Sequence, residues 1–84
     1  MNLEQLRAFV AVAEEKSYTR AGERLYMSHS TMSRAVSALE REFGVSLILR
    51  GNQVLGVTPE GEKLCTMARQ LLALADELES EMKN

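Results

Sequence analysis

The chain has 84 residues, 45% of them hydrophobic, with one Pro, five Gly and a formal charge of −2. That length gives one small domain burying roughly 60% of its unfolded surface, and the composition excludes a disordered or repetitive chain. One Cys rules out an internal disulfide; one His and no converging carboxylate pair leave no metal cluster and no nucleophile–base set for an enzyme. With no apolar stretch of membrane length and no apolar leader, a reducing cytoplasm is the expected compartment.

Asn2, followed three residues later by Gln5, is a capping box for a first helix running to about Lys16, with Leu3, Leu6, Phe9, Val10 and Ala13 at helical spacing as its core stripe. Ser17 caps a short second helix, Tyr18 to about Leu25, that buries Ala21, Leu25 and part of the Tyr18 ring. Tyr26 and Met27 form a turn, and Ser28 caps a third helix ending at Gly44, the residue best suited to a left-handed C-terminal position.

The third helix is two-sided. Met32, Val36, Leu39 and Phe43 fall on one side; Ser30, Ser33, Arg34, Ser37 and Arg41 fall on the other. Short hydroxyl side chains let a helix backbone approach another surface, and Arg pairs with phosphate oxygens or with the O6/N7 edge of guanine. Two helices joined by so short a turn, the second bearing this face, make a helix-turn-helix pattern whose exposed side fits a DNA major groove.

Beyond Gly44, Val45, Leu47, Ile48 and Leu49, then Arg50-Gly51-Asn52-Gln53, then Val54 to Val57, predict a two-stranded hairpin, the wing of a winged domain. Arg50 and Asn52 are its candidate DNA contacts, Arg50 reaching past the third helix toward backbone or minor groove. Thr58-Pro59-Glu60 opens a helix from Pro59 to near Met82, roughly 24 residues or about 36 Å. Leu64, Leu71 and Leu78 are seven apart, Met67 and Leu74 fill the intermediate heptad positions, and Ala68, Ala75 and Met82 widen the stripe. A stripe that outruns its own domain needs a partner, so a homodimer on this helix is expected. The organisation is therefore a winged helix-turn-helix over residues 1–58, with three helices and a hairpin, and a dimerisation helix over 59–84, mainly α overall.

Net acidity argues against nucleic acid, but the charge is uneven. Residues 17–58 hold five Arg against Glu23, Glu40 and Glu42, a net of +2, whereas residues 59–84 carry six acids against three bases, a net of −3. The middle is expected to face phosphates and the end to face protein or water.

The residues so far assembled resemble the N-terminal DNA-binding domain of LysR-type transcriptional regulators. The resemblance is carried by Leu3-x-x-Leu6-x-x-Phe9 with Val12-Ala13, Ser17-Tyr18-Thr19-x-Ala21, Arg24-Leu25, Ser28 with Ser33-Arg34, Leu39-Glu40, Phe43-Gly44-Val45-x-Leu47, Arg50, and Thr58-Pro59-x-Gly61. It implies a regulator that binds pseudo-palindromic double-stranded DNA as a homodimer, tetrameric in a full-length protein. It also implies a small-molecule effector bound by a C-terminal domain that this chain lacks, so that the chain is expected to be a fragment without a cofactor of its own. Three departures stand out: His29-Ser30 where the family often has Gln-Pro, Ile48-Leu49 where it often has Phe and a polar residue, and Gly22 where Ala is usual. Gly22 costs its helix roughly 1 kcal/mol against Ala unless the missing methyl permits closer packing on the third helix.

Tyr18, Thr19 and Arg20 are the candidate backbone contacts, with Arg20 free either to meet phosphate or to pair with Glu23. Ser28, His29, Ser30, Thr31, Ser33, Arg34 and Ser37 are the candidate groove residues. Arg34 projects from the centre of the face and meets a base or a phosphate; His29 either bonds a base edge or is only a first-turn residue. The methionines and Cys65 read as packing residues. A helical protein-interaction module, with the long helix as its working part, is the rival reading.

Overall fold

The computed structural model describes residues 1–84. It contains α1 (Leu3–Glu15), α2 (Tyr18–Leu25), α3 (His29–Phe43), β1 (Ile48–Arg50), β2 (Val54–Val57) and α4 (Pro59–Lys83). Every helix begins on a side-chain cap. Asn2 and Gln5 form the reciprocal box, and the hydroxyls of Ser17, Ser28 and Thr58 accept from the backbone N–H groups of Arg20, Thr31 and Gly61 at 3.0–3.1 Å. The helix ends are equally local: Lys16, Tyr26 and Gly44 stop α1, α2 and α3 in left-handed conformations with φ of 53°, 57° and 67°.

α1 is the central element, packed against α2, α3 and α4. Three-sided contact buries Leu6 and the whole run Ala8 to Val12, more than a single stripe, while Leu3 lies at the margin, 39% exposed. Met32, Val36, Leu39 and Leu47 are, with Phe9, Leu6 and Val12, the largest fully buried side chains of the core, which Ala21, Ile48, Val54 and the buried residues of α4 extend. Phe43 departs from expectation: it ends α3 beyond the edge of the core and is 44% exposed, lining an apolar groove with Val45, Leu64 and Met67.

The hairpin is shorter than its apolar run predicts. Its antiparallel ladder pairs Ile48 with Val57 and Leu49 with Gly56, then slips by one residue so that Arg50 pairs with Val54. Residues 45–47 stay outside it, and the Glu40 carboxylate accepts the N–H groups of Leu47 (2.8 Å) and Ile48 (3.3 Å) where the strand begins. The Leu47 carbonyl accepts from Thr58 N–H at 3.0 Å, bringing the start of α4 under the wing.

Two glycines mark close approaches. A Cβ on Gly22 would run into the Met27 carbonyl and lie 3.6 Å from the Met32 side chain, so the missing methyl serves the α2–α3 turn first and packing on α3 second. A Cβ on Gly61 would collide with the Leu47 carbonyl and the Val57 side chain. Overpacking against backbone costs about 1–3 kcal/mol, and Gly61→Ala is expected to lose that much in urea unfolding; an unchanged midpoint would show that α4 does not need this approach.

α4 presents two stripes. Gly61, Cys65, Ala68 and Leu72 are buried against the domain, and Met67, Leu71, Leu74, Leu78 and Met82 are 42–77% exposed. Ala68, expected on the dimer stripe, is instead 2% exposed and belongs to the core; its small side chain, with those of Gly61 and Cys65, lets α4 lie close to the domain. No residue after Leu72 is buried, and the turns beyond it meet the domain at its surface, through Asp76 and the groove shared with Leu3. Arg69 to Glu14 and Arg7 to Asp76, both at 3.0 Å, brace α4 on α1. No helix is long and apolar enough to cross a membrane.

Candidate nucleic-acid interface

The N-terminal ends of α2 and α3 and the hairpin loop enclose a groove of about 360 Å³ whose walls include Lys16, Tyr18, Thr19, His29, Arg50 and Asn52. Sequence reasoning singled out the last five and missed Lys16, which enters because its left-handed backbone turns the chain from α1 into α2. Ser30, Ser33, Arg34 and Ser37 lie outside the groove, along α3. Ser30 and Arg34 are exposed; Ser33 and Ser37 are half-buried.

Ser28 and Thr31 are engaged locally. The Ser28 hydroxyl accepts the Thr31 N–H at 3.1 Å and lies 2.9 Å from the Thr31 hydroxyl, so both side chains shape the first turn of α3. Thr19 and Arg20 are exposed at the start of α2, and Arg20 forms no ion pair with Glu23.

Arg50 does not extend freely past α3. Its Nη1 and Nη2 donate to Glu40 at 3.3 and 3.2 Å, and Nη2 also donates to the Tyr18 hydroxyl at 3.2 Å. The Tyr18 ring in turn stands 5.3 Å from the His29 imidazole, tilted by 52°. A chain of contacts thus runs from the base of the wing to His29, the first residue of α3.

Glu40 is the residue that sequence reasoning missed. It carries part of the family resemblance but is not among the candidate site residues, yet its carboxylate, 16% exposed, accepts from two backbone amides and one guanidinium. Burial works against its charge, but the Leu47 amide, Arg50 and the Ile48 amide outweigh it and hold the carboxyl below its usual range. The same pairing with Glu40, against the opposing effect of burial, holds Arg50 more firmly protonated. The clue in the sequence is one acid beside Leu39 on an otherwise Ser/Arg side, which does not reveal its partners.

Two of the five arginines in residues 17–58 are held in ion pairs. Arg24 turns away from the groove and pairs with Glu14 at 2.8 Å and Glu15 at 3.4 Å. Glu14, bonded by Arg24 and Arg69, is held below its ordinary carboxylate range despite partial burial. With Arg24 and Arg50 both paired, the arginines of the middle segment without an ion pair are Arg20, Arg34 and Arg41. Burial pushes the Cys65 thiol up, consistent with a packing residue. No group of three His, Cys, Asp or Glu side chains is placed to hold a metal.

A polar α3 face beside a hairpin and a groove is a shape found in known proteins. The family model for bacterial regulatory helix-turn-helix proteins of the lysR family matches residues 3–62. The transcriptional regulator BenM of Acinetobacter baylyi is 40% identical over 83 residues, 99% of this chain and 27% of BenM. CrgA of Neisseria meningitidis is 40% identical over 81 residues, 96% of this chain and 27% of CrgA. The chain thus spans about a quarter of the length of these relatives. Among solved structures, the BenM DNA-binding domain in complex with catB site 1 DNA superposes with a TM-score of 0.91 at 40% identity, covering 99% of this chain and 92% of that one. The CbnR DNA-binding domain in complex with DNA superposes at 0.90 and 32% identity, covering 99% and 95%. From residue 3 through the start of α4, fold and sequence agree: the chain belongs to the LysR family of bacterial regulatory helix-turn-helix proteins.

Proposed function

We propose that this chain is the operator-binding part of a transcriptional regulator, with α3 in the major groove of double-stranded DNA, the hairpin loop with Asn52 flanking it, and two copies joined through α4. The observation that carries the reading is the outward face of α3. Ser30 and Arg34 are exposed there without an ion pair, on a fold superposing on two domains crystallised with DNA. A small-residue helix face that leaves Arg unpaired is suited to close approach and to bonding base edges. Thr19 and Arg20 are placed for phosphates, which position the helix without reading sequence.

Exposed Leu71, Leu74, Leu78 and Met82 support the homodimer, helped by Leu64, Met67 and half-buried Ala75. Leu3 of α1 shares an apolar groove with Leu71, Leu74 and Leu78, so the surface available to a second copy is wider than one helix. In the whole protein, an effector-binding C-terminal domain, tetramer formation and a cytoplasmic location extend this proposal. Catalysis has no part in it, and both named relatives are transcriptional regulators.

Selection of sites from a random DNA pool, followed by footprinting, tests the reading. A protected, two-fold related sequence is expected; enrichment of nothing above the input pool would favour a protein-interaction module. On the selected site, Arg34→Ala is expected to weaken binding by about 1–3 kcal/mol, the value of a bidentate base contact. An unchanged affinity in gel shift would remove Arg34 from that role. Because so few cations are unpaired, the affinity is expected to fall only modestly with salt.

A further inference from the structure

We propose that Lys16 is a DNA-backbone contact of this chain, its ammonium taking a phosphate of the strand that crosses the groove between the start of α2 and the hairpin loop. The inference rests on the operator-binding reading above and deepens it by adding a phosphate-binding residue to the same site.

Lys16 is exposed, lines the groove and forms no ion pair. The groove's arginine, Arg50, is engaged: Glu40 neutralises it and the Tyr18 hydroxyl accepts one of its N–H groups. Of these two cations, Lys16 is therefore the one whose charge is open to a ligand. No carboxylate lines this groove. Of the acids just before Lys16 in the chain, Glu15 pairs with Arg24, and Glu14 with Arg24 and Arg69. Lys16 also borders a second groove, with Glu62 and Arg69 among its walls, and pairs with nothing there either.

The backbone at Lys16 is an independent observation. With φ 53° and ψ 36° it is left-handed, a conformation that strains a residue with a Cβ and suits glycine. The turn from α1 into α2 asks this position only for a cap. Its N–H supplies that cap by donating to the Val12 carbonyl at 2.8 Å, which any residue but proline could do. A lysine kept where glycine fits better, with no ion pair in return, points to a contact outside the chain.

The groove says what that contact is. Thr19 lies at the start of α2 and Asn52 on the hairpin loop, and both line the groove that holds Lys16. A DNA strand touching both crosses the groove, where the lysine meets it. An ammonium on a flexible stem is a compact point charge with three donors, suited to phosphate oxygens rather than to the bidentate reading of a base edge. Its contribution is therefore independent of base sequence and comes from released counterions, so that salt removes it. In residues 17–58 only Arg20, Arg34 and Arg41 are without an ion pair, so one more open cation is a large share of what the chain can set against phosphates.

The test uses the DNA site enriched in the selection above and a shuffled site of the same length, with affinities measured between about 50 and about 200 mM salt. The proteins are the natural chain, Lys16→Gly, Lys16→Arg and, as a charge-matched control at the far end of α4, Lys83→Gln. Lys16→Gly is expected to bind both DNAs roughly tenfold more weakly per protomer at about 0.1 M salt, with the slope of log affinity against log salt reduced by about 0.9 per protomer. Its melting temperature should match or exceed that of the natural chain, because glycine relieves the left-handed backbone. Lys16→Arg and Lys83→Gln should keep the natural slope. A natural slope in Lys16→Gly, with or without a lowered melting temperature, would overturn the phosphate contact and leave operator binding intact. So would an equal fall in Lys83→Gln, or a loss confined to the selected site. Failure of the natural chain to bind DNA at any salt would instead sink the parent reading, and this contact with it.

Discussion

A chain in which Leu71, Leu74 and Leu78 are all replaced by Gln is expected to sediment as a folded monomer and to lose operator affinity by about 10²- to 10⁴-fold, the gain that linking two binding modules ordinarily brings. The three side chains are 42%, 65% and 61% exposed, whereas the contacts of α4 with its own domain run through Gly61, Cys65, Ala68 and Leu72. Replacing one stripe therefore leaves the other in place, and circular dichroism should show an unaltered helix content. Each leucine freed from water at an interface contributes roughly 1.5–3 kcal/mol, so removing three from each copy of a symmetric pair is more than a small dimer withstands. A variant that remains dimeric in sedimentation would show that these three leucines do not hold the pair, with Phe43 and Val45, beside Met67 at the other end of the α4 stripe, as the next residues to alter.

The second large effect is expected at Glu40. Glu40→Ala removes the acceptor for the Leu47 and Ile48 amides and the partner of Arg50 at once. Hydrogen bonds to a charged group contribute about 1.5–3 kcal/mol, and for a domain of this size a loss of 2–3 kcal/mol lowers the melting temperature by roughly 10–20 °C. DNA affinity should fall as well, because Arg50 and Tyr18 lose the support that shapes the groove. Glu40→Gln, which keeps an acceptor but not the charge, should lose less. A melting temperature within a degree or two of the natural chain would show that the wing is held by its apolar contacts alone.

The same carboxylate sets a direction with pH. Its folded-state affinity for protons is depressed, so its contribution is complete above the ordinary carboxylate value of 4.5 and is lost as pH falls through the lower, folded value. Glu14, depressed by Arg24 and Arg69, acts in the same sense. Urea midpoints of the natural chain should therefore decline below pH 4.5, and part of that decline should vanish in Glu40→Gln. A midpoint that rose on acidification would contradict both assignments.

The helices of this protein are legible before folding because their starts and stops are local. Asn2, Ser17, Ser28 and Thr58 bond amides three residues away, and Gly44 ends α3 where its freedom at positive φ is needed. The exposed Ser30 and Arg34 and the leucine stripe of α4 follow from 3.6-residue periodicity alone. Periodicity could not tell which of two stripes on α4 would be claimed by its own domain, so Ala68 went inside while Leu71 stayed out. Nor could spacing pair Glu40 with Arg50, or Arg24 with Glu14: opposite charges find partners wherever packing brings them within reach. Capping and periodicity act within a few residues and are written into any stretch of chain. Burial and ion pairing depend on which surfaces meet, and that is settled when α1 takes the centre and α2, α3 and α4 close around it.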